Sequence, residues 1–127
     1  MADRSGSEST EHAELITMMV AHFKGLGYSD IRADISGYTQ PDQVGGHIPD
    51  LSCKKNDAAR TRITLEAETC ETIGDDHTAS QWRAFASASG EFHLVVPKSC
   101  GTESGRSKAQ RRLRELGLSA DEIWARQ

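Results

Sequence analysis

The sequence predicts a single α/β domain, a sheet with helices on its faces. Its 127 residues, 36% of them hydrophobic, suffice for one filled core and are too few for two. Helical and alternating apolar spacings also succeed one another along the chain. The resulting order, α-β-β-β-α-β-α-β, with no internal repeat or low-complexity tract, is that of an α/β protein.

Residues 1–10 are rich in Ser, Asp and Glu and lack an apolar anchor, so they are expected to form a disordered tail before a domain spanning 11–127. Leu15, Met19, Phe23 and Leu26, with Ile16 and Val20 beside them, recur at helical spacing and predict a helix over residues 10–26, stopped by Gly25 and Gly27. Alternation from Ser29 to Ile35 predicts a strand, and Gly37 to Gly46, with Pro41 inside it, a loop. His47–Lys54 and Arg62–Thr69 read as strands joined by a hairpin over Lys55–Arg60. Trp82, Phe85, Ala86 and Ala88 place a helix over His77–Ser89, closed by Gly90. A strand follows over Glu91–Val96, then a loop through Gly101 and Gly105. A basic helix over Ser107–Leu116, capped by Gly117, and a last strand near Glu122–Ala125 complete the chain.

Charge and cysteine content narrow the function classes. A net charge of −4 argues against coating nucleic acid by bulk attraction. Residues 98–127 nevertheless hold seven bases against four acids, and Lys98, Arg106, Lys108, Arg111 and Arg112 could meet a polyanion. Three widely spaced cysteines (Cys53, Cys70, Cys100) with no Cys-x-x-Cys pair suggest neither a disulfide framework nor a zinc knuckle, and reduced thiols are expected. With no apolar run of bilayer length and no hydrophobic leader, the expectation is a soluble, cytoplasmic protein without a membrane partner.

The chemistry-bearing residues lie in the central hairpin. In Arg62–Thr69 the apolar Ile63, Leu65 and Ala67 alternate with Thr64, Glu66 and Glu68, so two carboxylates share a face. If the hairpin turns near Ala58, Asp50 falls opposite Glu66 and diagonal to Glu68. Like charges across a sheet destabilise it and raise one another's pKa. A divalent cation resolves that conflict, because Mg²⁺ or Mn²⁺ takes carboxylate oxygens together with water and phosphate oxygens. Such a site suits phosphodiester hydrolysis.

Gly46-His47-Ile48-Pro49-Asp50, followed after fifteen residues by Glu66-Ala67-Glu68, resembles the signature of the PD-(D/E)XK nuclease superfamily over about residues 11–97. The resemblance implies a restriction-endonuclease-like three-layer α/β/α fold around a mixed sheet, with Asp50 and Glu66 binding Mg²⁺ or Mn²⁺. Glu68 stands where the family usually has Lys, as in some restriction-type members, and is assigned as metal ligand or general base. Lys54 shares the parity of Asp50 but lies roughly 13 Å along the strand, too far to replace that Lys. Gln81 is similar to a helix glutamine of archaeal Holliday-junction resolvases, placed near water or the substrate backbone. Glu11 and Glu14 are the candidates for an acidic contribution from the first helix. DNA is the implied substrate, and a homodimer is the implied assembly. The alternative is a catalytically inactive nuclease-fold module that binds nucleic acid or a protein partner.

The remaining residues have structural readings. His47 and His77 are expected in loop or helix-cap roles, and Asp75-Asp76 in a turn and cap. Trp82, Phe85 and Trp124 are expected to pack. A thiol at Cys53, opposite in parity to Asp50, is expected in the core.

Overall fold

The computed structural model describes residues 6–126 and is an α/β fold with three helices. In order these are α1 (Gly6–Gly25), β1 (Ser29–Ala33), β2 (Leu51–Lys54), β3 (Arg62–Ala67), a 3₁₀ turn (Thr72–Gly74), α2 (Asp76–Ala86), β4 (Glu91–Pro97), β5 (Ser99–Cys100), β6 (Glu103–Ser104), α3 (Gly105–Leu116) and β7 (Glu122–Arg126). The main sheet has the order β1-β2-β3-β4-β7, antiparallel as far as β3 and parallel from β3 to β7. The short β5–β6 hairpin forms a second sheet within the segment read from sequence as loop.

The two faces of the sheet carry separate apolar clusters. Leu15, Ile16, Met19, Val20 and Phe23 of α1 pack on Leu51, Cys53, Ile63, Leu65, Ala67 and Val95. On the other face, Trp82 and Phe85 of α2 and Ala109 and Leu113 of α3 meet Phe92, Leu94 and Val96. Alternation along β4 therefore feeds both clusters, and helices cover both faces. Among the described residues, no helix is long and apolar enough to cross a membrane.

Several boundaries differ from the sequence reading. The first helix starts at Gly6, four residues before the expected start, because extending a formed helix is far easier than nucleating one. Residues 1–5 of the expected tail lie outside the described residues. Leu26, assigned to the apolar stripe, lies beyond the helix end and is exposed. β1 carries a register irregularity between Ser29 and Arg32, with Asp30 at φ 51°, and ends two residues early at Ala33. β2 begins at Leu51, not His47, since Pro49 offers no N–H to a ladder and Gly45-Gly46 form a left-handed turn bridged by Val44 and His47. β3 stops at Ala67 because the Thr69 N–H is diverted to Thr72 Oγ1 at 3.0 Å.

The expectation of three reduced thiols is overturned by a disulfide between Cys70 and Cys100. The two residues are 30 apart in sequence, but β4 returns the chain beside the β3 exit loop and brings their Cα atoms to 5.5 Å. Cys53 is free and buried in the α1 face of the sheet, where burial pushes its thiol up to about 12.

Candidate active site

The candidate site lies at the carboxyl end of β3, the central strand, where the amino end of antiparallel β2 meets it. In open α/β sheets such strand ends are where ligands are received. The register pairs Leu51 with Leu65 and Lys54 with Arg62, which sets Asp50 opposite Glu66 just past the end of the ladder. Lys55 N–H closes the hairpin onto Thr61 O at 2.8 Å, and Asp57 holds the turn by accepting from Thr61 N–H at 2.9 Å. Lys54 lies at the far end of β2, 3.9 Å from Asp30 in an ion pair.

Side chains take over where the β2–β3 ladder stops. The Asp50 N–H donates to Glu66 Oε1 at 2.9 Å, and the Ala67 N–H donates to Asp50 Oδ2 at 2.9 Å. The Asp34 N–H donates to Asp50 O, also at 2.9 Å, fixing the backbone from the β1 side. His12 Nε2 of α1 lies within hydrogen-bond distance of Asp50 Oδ2, at 3.0 Å. Asp50 is 5% exposed, Glu66 2%, Glu68 1% and His12 8%, so none occupies a solvated strand face. From Ile63 onward β3 is buried at its polar positions, Thr64 and Glu66, as well as at its apolar ones, and only Arg62 at its start is exposed.

The electrostatics of Glu66 follow from that burial. Desolvation is the largest cause raising its carboxyl well above the usual range, with the Asp50 and Glu68 charges next. A hydrogen bond from the Asp50 N–H works in the opposite direction and is outweighed, while a side-chain hydrogen bond with Asp50 adds to the rise. Asp50 and Glu66 therefore form a contacting buried acid pair that favours holding a proton between them or meeting a cation.

Glu68 is placed differently. Its Oε1 accepts from Thr72 Oγ1 at 2.7 Å and its Oε2 from Trp82 Nε1 at 3.0 Å, so both oxygens bind the β3 exit to the 3₁₀ turn and α2. Among the described residues, no set of three or more His, Cys, Asp and Glu side chains is arranged to hold a metal ion. The Asp50–Glu66 pair is the donor set with the right chemistry, since Mg²⁺ is commonly held by one or two carboxylates and completed by water and phosphate oxygens.

Gln81 is half-buried on α2 and opens onto a cleft of about 350 Å³, which it lines with Asp34, Gln43, His47, Ile48 and His77. Ile48 of its lining stands two residues before Asp50 in the chain, while Asp50 and Glu66 themselves do not line it. His47 Nε2 lies 3.4 Å from Ser80 Oγ, and the His47 and His77 rings stand 6.1 Å apart, edge to face. Gly45 seats this loop on α2: at φ +59° it disfavours a side chain, and a Cβ there would come within 2.7 Å of Ala84 Cβ.

The basic residues divide. Lys108, Arg111 and Arg112 line one shallow cleft with Ile73, Gly74 and Glu115. Within it Lys108 Nζ donates to Cys70 O at 2.6 Å, and Arg111 grips Glu103 with two bonds of 2.6 and 3.0 Å. Arg112 meets Gly74 O at 3.4 Å and lies 3.5 Å from Glu115. Arg106 stands apart, donating twice to Ile123 O, and Lys98 is exposed between β4 and β5. Of the first-helix acids, Glu14 is exposed and Glu11 half-buried; the α1 side chain bonded to Asp50 is His12.

Sequence reasoning passed over His12 and Thr72. His12 carried a signal, for it stands three and four residues before Leu15 and Ile16 on the stripe that packs on the sheet, where a polar side chain needs a partner. Thr72 carried none, because its role depends on the path of a loop. The chain matches no family model, no curated protein and no solved structure.

Proposed function

We propose that this chain is a metal-dependent nuclease domain of the PD-(D/E)XK kind, hydrolysing phosphodiester bonds in DNA. The observation that carries the reading is the pairing of two buried acids at the carboxyl end of the central strand, where Glu66 Oε1 accepts from the Asp50 N–H at 2.9 Å and the Asp50 charge helps raise Glu66 well above its ordinary range. Burying like charges without a compensating cation is costly, so folding alone supplies no reason to assemble them.

Asp50 and Glu66 would hold Mg²⁺ or Mn²⁺, which when bound supplies charge neutralisation at the scissile phosphate and acidifies a water. His12 would orient Asp50 through the 3.0 Å contact of its Nε2 with Oδ2. Glu68, locked by Thr72 and Trp82, holds the β3 end rigid and adds negative potential to the pair. Gln81, on the neighbouring cleft, positions a water or the substrate backbone from its carboxamide. Lys108, Arg111 and Arg112 neutralise backbone phosphates at some distance from the acids. A homodimer would enlarge the small surface available for a duplex.

A second reading, a nuclease-fold module that binds nucleic acid or a protein without cleaving, is favoured by a separate observation. Both oxygens of Glu68, which stands at the family's lysine position, already accept hydrogen bonds from Thr72 and Trp82, so the position offers no amine to activate a water.

A nicking assay on supercoiled and branched DNA with Mn²⁺ decides between them. Cleavage that disappears in Asp50→Ala and Glu66→Gln supports the enzyme. DNA binding without cleavage, unchanged by either substitution, supports the module.

A further inference from the structure

We propose that the Cys70–Cys100 disulfide is a reversible thiol–disulfide exchange site that controls how firmly the Glu68 loop is held. Cys70 lies two residues beyond Glu68, and its bond ties the loop to β5, whose hairpin leads through Ser104 into α3. That loop carries Thr72, whose hydroxyl holds Glu68 and accepts from the Thr69 N–H, and it precedes α2, whose Trp82 holds the other Glu68 oxygen. The disulfide thus anchors the backbone on which the Glu68 clamp is built.

Three observations favour exchange over a purely structural bond. Both cysteines are partly exposed, within reach of an attacking thiolate. The cysteine buried within an apolar cluster is Cys53, whereas Cys100 only packs on the edge of the second cluster from a half-buried position, so the buried members of both clusters meet without the cross-link. Lys108 Nζ still holds Cys70 O at 2.6 Å, so a reduced loop stays attached to α3 by one contact and can close again. Cys53, sealed on the opposite face of the sheet, takes no part in reshuffling.

A dithiol reductant supplies the electrons. One of its thiolates attacks a sulfur of the pair, giving a mixed disulfide and releasing the other cysteine as a thiolate that takes a proton. The second reductant thiol then displaces the mixed disulfide, and two electrons and two protons have passed to Cys70 and Cys100.

The test compares the full chain after treatment with glutathione disulfide and with dithiothreitol. Thiol titration in denaturant is expected to find one free thiol in the oxidised form and three in the reduced form, from the three cysteines of the chain. Amide hydrogen exchange over residues 68–75 should quicken about tenfold on reduction and recover on reoxidation, while β3 and β4 stay protected. Cys100→Ser and Cys100→Ala should both exchange at the fast rate whatever the treatment. The proposal is overturned by three free thiols after the oxidant, by equal exchange in the two forms, or by loss of protection across β3 and β4 together. Any effect on hydrolysis rests on the nuclease reading. Absence of nicking in both forms with the exchange difference intact counts against that reading alone.

Discussion

At Glu66, burial and two neighbouring carboxylates act on one group in the same direction, and the consequence for pH is calculable in sign. The unfolded chain loses this proton near 4.5, whereas the folded chain keeps it to a higher pH. Glu66's contribution to stability is therefore fully present below about 4.5 and is lost as pH rises through the folded value. Urea denaturation without divalent metal should show stability falling as pH rises from about 4.5 to the higher folded value, with no further contribution from this group beyond it. Glu66→Gln keeps an oxygen for the Asp50 N–H and removes the charge, so it should flatten that slope and stabilise the metal-free protein by roughly 1–3 kcal/mol at pH 8. Trp82→Phe acts the opposite way: it leaves Glu68 Oε2 buried without its 3.0 Å donor and should cost about 1–3 kcal/mol in the same assay. A milder loss would mean that water reaches the vacated position.

Among the elements, α3 offers the sharpest comparison. Its N-cap Ser104 accepts from the Ser107 N–H at 3.0 Å, and Ser104→Ala should cost about 1 kcal/mol, read from a urea midpoint. Gly105 beside it fails for another reason, because a Cβ would overlap the Pro97 carbonyl oxygen at the end of β4. Gly105→Ala should therefore cost more than the cap, roughly 2–3 kcal/mol, by forcing α3 away from β4. Should the two substitutions prove equal, the close approach of α3 to β4 would be relaxed in solution. Apolar spacing made the existence of α1 and β4 legible but not where α1 begins, and the turn after β2 set the register through Asp57. The β5–β6 hairpin was not legible, since two-residue strands carry no periodicity, and its pairing is held by neighbours rather than by composition.

For the molecule as a whole, the acid pair should make stability respond to divalent ions. Saturating Mn²⁺ that binds only the folded chain adds about 2.7 kcal/mol at one hundred times Kd, which for a domain of this size corresponds to roughly 8–13 °C in Tm. Calorimetry should show that rise in the native chain and lose it in Asp50→Ala. An equal rise in both would place the ion elsewhere. The sheet order puts β3 in the middle with helices on both faces, so any charge on it is either paired or costly, and that is why this response is expected of β3 rather than of the edge strands.

Local information sufficed for what depends on neighbours along the chain. Apolar periodicity determined the helices and main strands, and the hairpin parity of Asp50, Glu66 and Glu68 determined which acids could approach, because a strand's side chains alternate with a period of two. Contacts between distant segments were decided only in three dimensions. His12 on Asp50 spans 38 positions, Trp82 on Glu68 spans 14, and the Cys70–Cys100 bond spans 30. Each depends on how α1, α2 and β4 are laid against β3, and the free energy that lays them there comes from burying whole faces, which no short stretch of sequence displays.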